Sequence, residues 1–472
     1  MSRPTPPSSA YLDHLADETA ARTRVMAGRD DGRGASGGTA ESSGVRDDEP
    51  AGASAADRAG APPALATAVE QAVEQLRPEL GKVVETLHAH PETAFAEHQS
   101  ARLLVDLVRR YGIPAELGVH GVETAFRAEL GTARSSGEGG PTIAICAEYD
   151  ALPGIGHACG HNVIAAAGVG AFLALREVMS GHDAPAGRVV LLGTPAEEGH
   201  SGKEVLARHG AFDDVDAAVM VHPYPHDVAE QVWLGRRLLT WTFTGRAAHA
   251  SAQPFMGRNA LDAANLAYQG IGLLRQQMPP VDRIHATVVE GGTSPNVIPE
   301  RAVMRLYARS KYPDTLKDLS RRLDDVARGA ALMTGTEVEI AWDDGALPSL
   351  PVRTNQALTR RWVAAQRRRG RAPLPGGVLS ETVAASTDFG NVSYRIPGMH
   401  PLIKIAEPDV ALHTTGFAAA AASQAAHDGA VDGAVGLALT ALDYLVDPGV
   451  REAVHAEFRA QGGPIDVPHY FD

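Results

Sequence analysis

The chain has 472 residues, 44% of them hydrophobic and 21% charged, the composition of an ordinary globular protein with room for two or three domains of roughly 100–200 residues. Its 57 acidic against 43 basic side chains leave a net charge of −14, which opposes phosphate backbones and anionic lipid, so neither nucleic acid nor a membrane is an expected partner. Two cysteines, Cys146 and Cys159, cannot build a disulfide framework, and the N-terminal region shows no continuous apolar signal segment, so the expected compartment is the cytoplasm.

Residues 1–65 are expected to form a leader outside the folded body. From about 27 to 61 they are Gly, Ala, Ser, Asp and Arg, with too little apolar surface to offset the entropy of ordering. A weakly amphipathic piece at 11–25 reads either as a short tethered helix or as a solvated tail, the tail being the commoner outcome. Folded sequence begins near Ala66, where Val69, Val73, Leu76, Val83, Val84 and Leu87 recur at helical spacing.

Apolar runs then alternate with helical patterns: strand 142–147, helix 162–179, strand 188–194, helix 203–208 and strand 217–221. That alternation predicts an α/β fold built on a doubly wound sheet, in which ligands sit at the carboxyl ends of strands. Between 239 and 347 the order becomes strand 240–244, helix 259–277, strand 284–290, strand 302–310, helix 314–333 and strand 337–342, the β-α-β-β-α-β order of a ferredoxin-like unit. Helix 355–369 and an Ala-rich buried helix at 418–445 resume the first rhythm. The expected organisation is a catalytic domain in two segments, 66–238 and 348–448, an inserted lid at 239–347 and a C-terminal tail at 449–472.

Several polar residues fall at the strand ends. Cys159 and His161 stand two apart at the start of a helix, where a thiolate is favoured and both side chains can share a metal; taken alone, a structural cysteine beside a solvated histidine is the commoner case. Glu197 and Glu198 follow the strand at 188–194, so one carboxylate can bind metal while its neighbour holds a proton; a solvated pair is the alternative. His222, after the strand at 217–221, is a third such position in one sheet, and His413 can complete the set. Cys159, His161, Glu198, His222 and His413 are five soft or borderline ligands, which suit two divalent ions, zinc or manganese, sharing one group.

Four motifs together resemble the M20 metallopeptidase family: Glu148-Tyr149-Asp150-Ala151-Leu152-Pro153, His157-Ala158-Cys159-Gly160-His161-Asn162, Thr194-Pro195-Ala196-Glu197-Glu198-Gly199 and Gly245-Arg246-Ala247-Ala248-His249-Ala250-Ser251. Leu87-His88-Ala89-His90-Pro91-Glu92 is similar to the opening helix motif of the family's amidohydrolase branch, and the resemblance spans about 66–448. Ser386-Thr387-Asp388-Phe389-Gly390 and His413-Thr414-Thr415-Gly416-Phe417 are similar to motifs of its β-alanyl-dipeptidase-like members, with aminobenzoyl-glutamate-hydrolase-like members close by.

The resemblance implies a zinc-peptidase-like topology, a bridging Cys159, metal ligation by His161, Glu198, His222 and His413, and Glu197 as general base. It also implies a homodimer formed through the lid, His249 donated by the second subunit to the developing oxyanion, and a substrate contact at Asn296. Arg309, at a strand end, can clamp a substrate carboxylate, a solvated arginine being the equal alternative. One departure is Glu148, where most of the wider family has a metal-binding histidine; Asp150 then serves to orient a ligand. The expected activity is hydrolysis of a small amide or dipeptide, with a broad aminoacylase and a non-catalytic metal-bearing protein as the other readings.

Overall fold

A computed structural model describes residues 8–15, 17–18, 60–131, 140–180, 184–381 and 384–472. Helices α1 (Pro63–Ala89) and α2 (His98–Arg110) precede β1 (Ala115–Leu117), β2 (Phe126–Gly131) and β3 (Thr142–Ala147). There follow α3 (His161–Met179), β4 (Arg188–Gly193), α4 (Gly202–Arg208), β5 (Ala217–Val219) and β6 (His222–Tyr224). A second group comprises β7 (Gly235–Thr244), α5 (Ala260–Leu274), β8 (Arg283–Glu290), β9 (Arg301–Ser310), α6 (Pro313–Thr334) and β10 (Glu337–Trp342). The chain closes with α7 (Gln356–Arg368), α8 (Phe389–Ser393), β11 (Gly398–Met399), β12 (Leu402–Lys404), α9 (Thr415–Ala420), α10 (Gln424–Val446) and α11 (Pro448–Ala460).

The first sheet has the order β1-β2-β4-β3-β5-β11 and is mixed. β4 and β5 run parallel to β3, whereas β2 is antiparallel to β4. Every residue of β3 and β4 is buried, because both faces of the sheet are covered. Ile143, Ile145 and Val189 face a core built with α1, α3 and α10, while Ala144, Cys146 and Val190 face Leu206 of α4 and Phe389 of α8. Burial pushes the Cys146 thiol up to about 12, so it is inert packing. Helices α3 and α10 are long and apolar enough to cross a membrane, but 89% and 94% of their apolar windows lie buried inside the fold, where they pack on each other as core helices.

The second sheet is antiparallel throughout, in the order β10-β7-β9-β8. Leu239, Trp241, Phe243, Met304 and Leu306 alternate onto one face and pack against α5 and α6. Asn259 caps α5 by accepting from the N–H groups of Leu261 and Asp262.

Four differences from the sequence reading have local causes. The strand expected at 217–221 stops at Val219, and His222–Tyr224 pairs instead with Leu402–Lys404 in a separate two-stranded sheet. Pro401 interrupts the partner segment and has no N–H to continue a ladder. The strand expected from 240 begins at Gly235, since Arg236 and Arg237 conceal the apolar alternation. The helix expected at 418–445 is two helices, divided at Ser423, whose hydroxyl accepts from the Ala426 N–H to start α10. Residues set aside as a tail include α11, which buries Val450, Val454 and Phe458 and is capped by Asp447.

In the leader, residues 10–15 are helical and the His14 ring stacks on Tyr312 at 3.6 Å, while residue 16 and residues 19–25 of the amphipathic piece lie outside the described residues. The Gly- and Ala-rich stretch up to residue 59, read as disordered, lies outside the described residues.

Candidate active site

The polar cluster sits where strands β3, β4 and β5 all end. Beyond β3 come Glu148 and Asp150, beyond β4 come Glu197 and Glu198, and beyond β5 comes His222. Cys159 and His161 lie at the start of α3, whose preceding residue, Gly160, has φ 82°. A Cβ at Gly160 would also stand 2.5 Å from Pro223, so only glycine lets the helix start approach the His222 segment this closely.

Five expected ligands converge. Donor atoms of Cys159, His161 and His222 lie within 4.8 Å of one another, and so do those of Cys159, Glu198 and His413. Cys159 Sγ, common to both groups, is 3.4 Å from His222 Nε2. Glu198 Oε1 is 3.3 Å from His413 Nε2. Glu197 joins a third group with His161 and Glu198, its Oε2 4.0 Å from His161 Nε2.

The surrounding hydrogen bonds fix how each ligand points. His222 Nδ1 donates to the Pro223 carbonyl at 2.7 Å, which leaves Nε2 as the lone-pair nitrogen facing Cys159. Burial drives His222 down to about 3, so its ring is neutral, the form that ligates a metal. Asp150 Oδ1 accepts from His161 Nδ1 at 3.1 Å while Oδ2 accepts from the Glu198 N–H at 2.9 Å, so one carboxylate orients two members of the cluster. His413 has φ 60° and donates its backbone N–H to Ala158 at 2.9 Å. Ala196 and Ser201 are also left-handed, at φ 61° and 57°, on either side of the two glutamates. Non-glycine residues held this way cost about 1–3 kcal/mol each and persist where the surroundings over-determine them.

The pocket suits a cation. Among the described residues, His161 Nε2, Glu148 Oε2 and Glu198 Oε1 are buried and make no hydrogen bond, and His161 Nε2 lies 3.5 Å from Glu148 Oε2 and 4.0 Å from Glu198 Oε1. Burial opposes charge on His161, yet Cys159, Asp150 and Glu148 raise its pKa well above the ordinary imidazole range. Burial, then Glu148 and Glu198, push Glu197 well above the usual carboxylate range, the direction required of a proton acceptor working near neutrality.

A cleft of about 540 Å³ opens onto this cluster, lined by Cys159, Glu197, Glu198, His222 and His413 together with Arg236, Tyr307 and Arg309. Arg309 thus shares the cleft with the cluster. His249 and Asn296 do not line it. They are neighbours at an exposed end of the second sheet, where the Ala250 N–H donates to Asn296 O at 3.0 Å. His249 Nδ1 accepts from the N–H groups of Ser251 and Ala252, so its proton is on Nε2, which is free to donate.

Two features escaped the sequence reading. Lys203 is fully buried and pairs with Glu148 and, at 2.7 Å, with Asp388. The signal was available: a lysine inside an apolar helix in a chain whose basic residues are nearly all arginine. His400 is buried against Trp233, with ring centroids 4.6 Å apart, and forms the wall behind His222; its apolar flanks gave no sign of this.

The peptidase family M20/M25/M40 model matches residues 144–428. The chain is 37% identical to a Xaa-Arg dipeptidase of Mus musculus over 394 residues, covering 82% of this chain and 91% of that protein. It is 30% identical over 460 residues to a p-aminobenzoyl-glutamate hydrolase polypeptide of Escherichia coli K12, covering 82% and 94%. The crystal structure of the Bacillus subtilis YXEP protein, titled a dinuclear metal binding peptidase, superposes with a TM-score of 0.59 at 22% identity, covering 78% of this chain and 99% of that one. With its family model, its similar relatives and its strand-end cluster in agreement, the chain belongs to peptidase family M20/M25/M40.

Proposed function

We propose that this chain is a metal-dependent hydrolase of small amides or dipeptides, using two divalent ions, zinc or manganese. The observation that carries it is the pair of ligand groups sharing Cys159 Sγ, with Glu197 directly beside them. Relatives named for cleaving Xaa-Arg dipeptides and p-aminobenzoyl-glutamate support the substrate class.

Cys159, His161, Glu198, His222 and His413 would hold the ions, which when bound would supply Lewis acidity to the scissile carbonyl and to water. Glu197 takes the proton of the attacking water and delivers it to the leaving nitrogen. Asp150 orients His161 and the Glu198 backbone, and Arg309 binds a substrate carboxylate in the cleft.

Residues 66–238 and 348–448 act as the catalytic unit and 239–347 as an inserted ferredoxin-like lid, a division supported by the separate cores of the two sheets. The chain works as a homodimer in the cytoplasm, the lid of one copy bringing His249 and Asn296 to the cleft of the other. Their exposure, away from their own cleft, supports that arrangement, and the proton on Nε2 suits His249 to stabilise an oxyanion.

The test is hydrolysis of β-alanyl, acetyl and aminobenzoyl amides by protein loaded with Mn, Zn or Co. Turnover that needs added metal supports the reading, whereas two bound ions with no cleavage of any amide would favour a non-catalytic binding protein.

A further inference from the structure

We infer that Arg236 is a positioning residue for Glu197: from the root of the second sheet it holds, directly and through Ser201, the loop that carries both glutamates; this rests on the hydrolase reading above. The chain enters the second sheet at Gly235 and leaves it after Trp342. Where the two crossings meet, Arg236 N–H donates to Ser349 O at 2.6 Å and Ser349 N–H donates to Arg236 O at 2.9 Å. From that backbone pair the Arg236 side chain extends to the loop that follows β4. Its Nη1 donates to Gly199 O at 3.3 Å and its Nη2 to Ser201 Oγ at 3.1 Å, with Ser349 Oγ at 3.5 Å.

Ser201 completes the junction. Its hydroxyl donates to Leu347 O at 2.7 Å, so it accepts from Arg236 Nη2 and from Ser349 Oγ, the latter at 2.9 Å. Both serines are fully buried and Arg236 is only 8% exposed. A guanidinium this deep gives up its hydration, which several fixed hydrogen bonds must offset. Its planar fork reaches two points of one loop at once, as an ammonium does not.

The loop depends on such support. Ala196, Gly199 and Ser201 all have left-handed backbones, at φ 61°, 83° and 57°. Gly202 closes the loop onto its own start: its N–H donates to Ala196 O at 2.9 Å, and a Cβ there would stand 1.9 Å from Pro195 O. A displacement at Gly199 or Ser201 therefore reaches Glu197. Glu97 and Asp150 hold the near side through the N–H groups of Ala196 and Glu198, and Arg236 holds the far side. Glu197 Oε2 is 4.0 Å from His161 Nε2, beyond hydrogen-bond reach, so the loop backbone carries the placement of the carboxylate. Misplacing a reacting group by about 1 Å costs about 10²-fold in rate.

The experiment measures kcat, KM, bound metal and amide-hydrogen exchange for the wild type, Ser201→Ala, Arg236→Lys and Arg236→Met. The substrates are a β-alanyl dipeptide and the same compound with its terminal carboxylate amidated. Ser201 does not line the cleft, so Ser201→Ala should lower kcat by about tenfold or more, with KM within about twofold and metal content unchanged. Arg236→Met should lose at least as much, and Arg236→Lys should recover part of it. Arg236 does line the cleft, which the second substrate addresses: a positioning role lowers kcat by the same factor for both compounds, whereas direct binding penalises only the free carboxylate. Exchange should quicken at 196–201 in Ser201→Ala and Arg236→Met while β4 stays protected. Wild-type kcat in Ser201→Ala, a defect confined to KM or to the free carboxylate, or unchanged exchange would overturn the inference. If the wild type cleaves no amide, the hydrolase reading falls; quicker exchange in the variants then still upholds the hold of Arg236 on the loop, and unchanged exchange overturns it.

Discussion

His413 Nε2 lies 3.3 Å from Glu198 Oε1, which joins the strand ends of the first sheet to a loop late in the chain. The contact depends on a strained residue. His413 takes a left-handed backbone, and its N–H is tied to Ala158, next to Cys159, so the third histidine is fixed by the same loop that presents the thiol. Side chains from separate segments of the chain are thereby held together at one place in the fold.

Glu197 lies beside the ligand groups and is assigned the proton transfer rather than the ions. Glu197→Gln should keep the wild-type metal content while kcat falls by about 10²–10⁴-fold, the range for a lost general base. Metal analysis and steady-state kinetics on one preparation check both halves; undiminished turnover would reject the role.

Lys203 neutralises Glu148 and Asp388 in a site from which water is excluded. Lys203→Met leaves two buried carboxylates without their cation and should lower the unfolding free energy by about 3–5 kcal/mol. Adding Glu148→Gln should recover part of that loss, because the uncompensated charge goes with it. Denaturant titrations of the single and double variants measure the coupling.

Glu97 is fully buried and accepts hydrogen bonds from Thr124 and from the backbone of Phe95 and Ala196. Burial, then Asp150, pushes its carboxyl up to about 7. The folded state therefore holds this proton more tightly than the unfolded chain does. Its contribution to stability is complete below the unfolded pKa and is lost as pH rises through about 7, a loss of about 3 kcal/mol for this shift. Glu97→Gln should remove that part of the decline, seen as a flatter stability profile between about pH 5 and about pH 8.

Much of this site was legible because four of the five expected ligands follow an apolar strand or open a helix, positions where a doubly wound sheet gathers its chemistry. Cys159, His161, Glu198 and His222 could be found that way. His413 lies in the loop after β12, nine residues beyond Lys404, so local pattern offered it only as a residue that completes the set. His400 was hidden because burial of a polar residue is a property of its neighbours in space, whereas Lys203 left a signal in a chain whose basic residues are nearly all arginine. The break after Val219 and the early start of β7 at Gly235 were hidden for related reasons: a proline on the partner strand, and arginines where alternation suggested apolar residues.

If a second copy supplies His249, two inactive proteins should repair each other. Homodimers of His249→Ala and of Glu197→Gln, mixed and allowed to exchange, should regain about a quarter of wild-type activity, since half the dimers become mixed and each of those has one intact site. No recovery after demonstrated exchange would mean that His249 acts within its own chain or not at all.

The most direct test is the metal count. Protein stripped of metal, reloaded with Zn or Mn and freed of excess ion should hold two ions per chain by mass spectrometry, and Cys159→Ala should fall clearly below two because the shared thiol is gone. One ion or none in the wild-type chain, or an unchanged count of two in Cys159→Ala, would contradict the two-ion site.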